Sequence, residues 1–148
     1  MQVIIGSNTI PEAIIVGGTG PPGPPGPPGT GINTVVPLTV SGDISGHRIL
    51  SSSGLGLAYY TDVTNTQDIK SIVGMSSSSS LALGTVDIIV SGIITEPSWN
   101  WVAYEPIYLT GLGFLTQIVP TAGYLVQIGT PIAPTQILLD IRPAIFLI

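Results

Sequence analysis

The chain contains no cysteine, so neither a disulfide framework nor a thiolate metal site is open to it. Charge is nearly as scarce. Only 7% of the 148 residues are Asp, Glu, Lys or Arg, against about a quarter in an ordinary soluble domain. Arg48, Lys70 and Arg142 are the only strong bases, and the net charge is −5. Gripping a phosphate backbone takes clustered Lys and Arg, so no nucleic-acid partner is expected. Long apolar runs are missing too. The nearest approach to the ~20 residues that cross a bilayer is Ile137–Ile148, which Asp140, Arg142 and Pro143 interrupt. No membrane insertion is expected, and with no basic region ahead of an apolar stretch at the N-terminus, no secretory signal either.

What the chain does have is apolar surface and glycine in phase. Hydrophobic residues make up 44% of it, with a mean hydropathy of +0.58. So few charges and so many apolar side chains suit an obligate oligomer, whose subunits bury surface that a monomer would expose to water. Gly17, Gly20, Gly23, Gly26 and Gly29 recur at every third position, and proline fills both other places in three consecutive triplets, Pro21-Pro22, Pro24-Pro25 and Pro27-Pro28. A polyproline II strand has three residues per turn, so these glycines fall on one edge, where three chains close around an axis too crowded for a Cβ. A stiff Pro-rich linker, or a ligand for a domain that reads proline, is the competing reading; it needs proline but has no use for strict glycine phasing. Residues 17–31 therefore read as a collagen-like triple-helical rod, roughly 45 Å long at about 3 Å per residue. So short a rod does not hold three chains together against the cost of association, and its flanks must trimerise as well.

Residues 1–16 hold two short apolar segments, Val3–Ile5 and Ala13–Val16, around Gly6-Ser7-Asn8. They are too few to bury a core. Two readings stand: an anchor that docks on another protein, or a small trimeric cap that nucleates the rod. Residues 32–148 show β-branched segments at short spacing, separated by Gly, Ser, Pro and Asn, and no apolar helical periodicity over a dozen positions. The expected class is all-β, a small trimeric β-sandwich or barrel. Expected strands include Arg48–Leu50, Leu57–Tyr60, Ile69–Gly74, Thr85–Val90, Gly92–Thr95, Pro106–Leu109, Phe114–Gln117, Tyr124–Thr130 and Ile137–Ile141, with Pro37 marking an edge or bend and Ser76–Ser80 a loop.

Chemistry is hard to find. His47, the single histidine, lies in Gly46-His47-Arg48 without a Gly-x-Ser-x-Gly elbow nearby, and reads as a structural, hydrogen-bonding residue. The eight carboxylates are scattered without calcium-loop spacing, and no glycine run precedes Lys-Ser or Lys-Thr as phosphate binding requires. No catalytic, cofactor or metal site is expected, and the chain does not read as an enzyme. Asp140 and Arg142 alternate with Leu139 and Ile141, which points both to one face and toward inter-subunit ion pairs. Trp99, Trp101 and Tyr104 form an aromatic cluster with two readings: rings that stack on a surface glycan, or packing that seals a barrel or an interface.

Four stretches carry a family resemblance: Gly46-His47-Arg48, Ile72-Val73-Gly74-Met75, Gly92 through Trp101, and Ile128 through Ile141. Together they resemble a small β-domain of tailed-bacteriophage structural proteins, found in short tail-fibre-like proteins, often behind a collagen-like rod, and reminiscent of capsid decoration (cement) proteins. The resemblance covers roughly residues 42–148 and brings no catalytic residues. It implies a trimeric virion protein, assembled in the host cytoplasm, with residues 1–16 docked on other virion proteins and the β-domain outward. Its implied role is a tail or baseplate fibre that contacts a host glycan or receptor, or alternatively a decoration protein or head fibre that stabilises the capsid shell.

Overall fold

A computed structural model describes Gly23, Pro24 and residues 33–148. The segments Val3–Ile5 and Ala13–Val16, and Gly17, Gly20, Gly26 and Gly29 of the expected rod, lie outside the described residues.

The described domain is all-β, with a single turn of helix. Its elements in order are β1 (Thr34–Val40), β2 (Ile49–Ser52), β3 (Leu57–Tyr60), α1 (Thr66–Lys70), β4 (Ile72–Ser76), β5 (Thr85–Thr95), β6 (Ile107–Thr110), β7 (Phe114–Thr116), β8 (Gly123–Leu125), β9 (Gln127–Ala133), β10 (Gln136–Leu139) and β11 (Ile145–Leu147). Strands β1, β3, β2, β4 and β5 pair in that order, and β5 returns to pair with β1. Five strands thus close into a barrel, which leaves no open edge within the ring. Only the β1–β3 contact is parallel, through Thr39 and Val40. Pro37, which cannot donate to a ladder, therefore lies on a stretch of β1 whose single partner strand is β5.

β5 organises the rest. Its first half belongs to the barrel, whereas Gly92–Thr95 pair with β10, from which the sheet continues through β9 and β6 to β7. Two cores result, one on each face of the barrel wall. Val40, Leu50, Ala58, Val86 and Ile88 fill the barrel. Ile49, Met75 and Ile89, on the outer face of the same strands, pack with Ile94, Ile107, Leu109, Val126, Ile128, Ile137 and Leu139 beneath the extended sheet. Each Val, Leu, Ile or Met among them contributes about 1.5–3 kcal/mol when removed from water. β2 is consequently buried on both faces, which is why Ile49 and Leu50 are neighbours and both apolar.

Several expectations need correction. Ile69–Gly74 is not one strand, because Asn65 Oδ1 accepts from the amides of Gln67 and Asp68 and starts α1. Asn is among the best N-cap residues, and the turn lasts five residues before β4 begins. The helix is held inward by Asp68, which accepts from the Tyr59 hydroxyl at 2.9 Å and the Asp62 amide at 3.0 Å, while Ser51 donates to the Asp68 carbonyl at 2.8 Å. Thr85–Val90 and Gly92–Thr95 are a single eleven-residue strand rather than two. Tyr124–Thr130 divides instead between β8 and β9, and β11, which pairs with β8, was not anticipated. Asp140 and Arg142 lie past the end of β10. Ser76–Ser80 does run off β4 into the loop before β5.

Candidate functional site

Trp99, Trp101 and His47 come together at the end of β5. His47 sits on the bend before β2 with φ 61°, a left-handed conformation held by its amide donating to the Ser76 carbonyl at 2.7 Å. Its Nδ1 lies 3.4 Å from Glu96 Oε2. The Trp99 ring meets the imidazole edge-on, with centroids 5.1 Å apart, and Trp101 lies 5.8 Å beyond. Hydrogen bonds from Ser98, whose amide donates to Glu96 Oε1 at 2.9 Å, hold the Glu96 carboxyl below the usual carboxylate range, and His47 adds to that pull.

Both tryptophans are half-buried and pack against the core beneath the extended sheet, so much of each ring is committed to packing. The indole N–H of Trp101 is buried without an acceptor. Tyr104 is apart from them: it is 77% exposed, adopts φ 70°, and its amide donates to the Pro131 carbonyl at 2.8 Å. Aromatic contacts among the described residues join Trp99 to His47 and Trp101 and leave Tyr104 out. No hydroxyl among the described residues hydrogen-bonds the imidazole, and no three metal-ligating side chains gather among them. What the cluster does is brace the end of β5 against the His47 bend.

Arg48 makes a second brace. Its guanidinium lies between the Tyr60 ring, 4.0 Å away, and the Phe114 ring, 3.5 Å away, and donates to the Leu112 carbonyl. A planar cation between two aromatic faces joins the barrel to the β6–β7 hairpin. Asp140 and Arg142 pair with each other, Arg142 Nε donating to Asp140 Oδ2 at 2.7 Å. The two residues are close enough in sequence to satisfy one another within one chain, and both side chains remain exposed. A cleft of about 260 Å³ opens beside β8 and β11, lined by Val63, Leu109, Pro120, Tyr124 and Phe146 with the threonines Thr64 and Thr110. Its walls carry the hydroxyls of Thr64, Thr110 and Tyr124 but no Asp, Glu, His or Lys.

Sequence reasoning missed the clasp where the chain enters the domain. The Asn33 amide nitrogen Nδ2 donates to the Ile93 carbonyl at 3.1 Å, and the Ile93 amide donates to Asn33 Oδ1 at 2.9 Å. One side chain thus reproduces a pair of ladder hydrogen bonds just beyond the end of β1. Gly92 makes this possible: its φ is 129°, and a Cβ there would lie 2.7 Å from Asn33 Cγ. The sequence signal was present in Gly92 itself, a glycine inside a β-branched run. At the opposite end of the seven-residue β1 lie Leu55, Leu81 and Leu83, all strongly exposed. The Leu83 amide donates to the Val40 carbonyl, and Leu57 pairs with Thr39, which fixes both loops at that end.

No protein-family model matches the chain, and no curated protein matches it.

Proposed function

We propose that this is a structural virion protein of a tailed bacteriophage: a homotrimeric fibre or appendage, anchored by residues 1–16, with a triple-helical spacer over residues 17–31 and a β-head that meets the host surface. The observation that carries this reading is the path of the chain. The Gly-Pro-Pro triplets lead to Asn33, which is fastened to β5 at one end of the barrel. The exposed leucines Leu55, Leu81 and Leu83 stand at the other end, roughly 20 Å away along β1 at about 3.3 Å per residue. A spacer entering one end and apolar side chains at the far end is the layout of a head carried outward on a rod. Among the described residues a Cβ at Gly23 would meet nothing within 4 Å, whereas in the proposed triple helix it would crowd the shared axis.

The test is native mass and location. The full chain should run at three times 15.2 kDa, roughly 46 kDa, with a polyproline-type circular dichroism signal that weakens in Gly23→Ala. Antibody raised against the protein should label the tail end of intact virions. A single-chain mass would overturn the trimer, and label spread over the head would make this a decoration protein.

A further inference from the structure

The extended sheet has two unlike faces. One rests on the core, where Ile94, Ile107, Leu109, Ile137 and Leu139 are buried. On the other, the strand register sets Ile93, Leu138 and Thr130 in one row. The next row holds Thr95 and Gln136, whose side chains hydrogen-bond at 3.0 Å. Ile93 is 47% exposed and Leu138 44%. Gly92–Thr95 and strands β6, β7, β9 and β10 contain no charged residue at all. A sheet that turns one face to water ordinarily alternates apolar inward with polar outward; here a buried face backs onto a neutral one with two large aliphatic side chains at its centre.

The path of the chain identifies what covers that face. Ile93 is the residue that Asn33 clasps, and Asn33 comes four residues after Gly29, the last glycine in phase with the triplets. Four residues reach at most ~14 Å, while a triple helix holds its three chains around one shared axis. The Ile93 rows of the three copies therefore lie close to that axis and to one another. Charge agrees. Each copy carries −5, so like-charged faces repel their own copies, and an uncharged face is where three identical domains approach without that cost.

We infer that the Ile93, Leu138 and Thr130 face is the contact through which the β-domains pack on one another around the axis of the rod, the occupant being a second copy of this chain. This rests on the trimeric reading proposed above, and it explains how a rod too short to hold three chains is closed by its flank.

Because the chain has no cysteine, single-cysteine variants report on it cleanly. Ile93→Cys and, at the far end of the barrel, Leu55→Cys are made in the full chain and treated with a short bis-maleimide. Native mass and a denaturing gel are then recorded. A covalent dimer band in I93C and its absence in L55C is the expected result. Ile93→Asp and Leu138→Asp should lower the melting temperature of the assembly, while Leu55→Asp leaves it unchanged. If the native mass is that of three chains but I93C cross-links no more than L55C, this interface is overturned and the trimer stands. If the wild-type chain has the mass of one copy, both fall together.

Discussion

Gly92→Ala is the sharpest probe of how the chain entering the β-domain at Asn33 is fastened to β5. An added Cβ would lie 2.7 Å from Asn33 Cγ and 2.9 Å from Asn33 Cα, and the backbone at φ 129° is one that alanine rarely adopts. The strained conformation costs about 1–3 kcal/mol. Displacing Asn33 forfeits two hydrogen bonds, about 0.5–1.5 kcal/mol each. Together the loss is about 2–6 kcal/mol. For a chain of this size 1 kcal/mol moves the melting temperature by about 2–4 °C, so a fall of several degrees or more is expected at fixed protein concentration. Asn33→Ala gives up the hydrogen bonds without the strain and should cost about 1–3 kcal/mol. In the double variant the clasp is lost only once. Its penalty should therefore fall short of the sum of the singles, by about the cost of Asn33→Ala. Thermal melts of the four proteins decide the matter: a G92A melt indistinguishable from wild type, or penalties that simply add, would refute the clasp.

Three further outcomes follow from the packing. Ile49→Ala and Leu50→Ala, adjacent on β2, should each cost about 2–5 kcal/mol by denaturant unfolding, because each leaves a cavity in a different core; a strand buried on one face would show only one large loss. Arg48→Lys should destabilise by about 1–2 kcal/mol, since an ammonium does not lie flat between Tyr60 and Phe114, and Phe114→Leu should remove part of the difference in a double-variant cycle. Glu96 has a lowered carboxyl pKa in the folded protein, chiefly through Ser98 and then His47. Its contribution is therefore fully present above the ordinary carboxylate range and is lost as pH falls through the lowered value. The melting-temperature gap between wild type and Glu96→Gln should hold steady near neutrality and close in acid, and a gap that widens in acid would contradict the assignment.

The all-β class was legible because β-branched residues and turn residues alternate along residues 33–148, and Leu57–Tyr60 was placed to the residue. A barrel was one of the two expected architectures, but the choice of barrel over sandwich was not legible, since the β1–β3 and β1–β5 pairings that close the ring join segments apart in sequence and leave no local mark. The α1 turn was hidden by its shortness: five residues show no helical periodicity, although Asn65 three places before Asp68 is a helix-start pattern. Gly92 read as a break, whereas the strand runs through it and uses its missing Cβ to admit Asn33. The meeting of His47 with Glu96 and Trp99 bridges about fifty positions of chain, so the aromatic cluster was visible as composition but its histidine partner was not.

The pairing of β1 with β5 also determines how the domain bears load. A pull applied to the chain ahead of β1 reaches the β-domain at Asn33 and then β1, whose register with β5 extends from Thr34 opposite Ser91 to Thr39 opposite Thr85. Ladder hydrogen bonds between antiparallel strands stand perpendicular to the strands. A pull along β1 therefore shears them all at once instead of unzipping them singly, with the Asn33 clasp first in line. Applied across the sheet, the same force would peel the ladder bond by bond. The β1–β5 ladder thus makes the β-domain resist a pull on Asn33 directed along β1 and yield to one directed across the sheet.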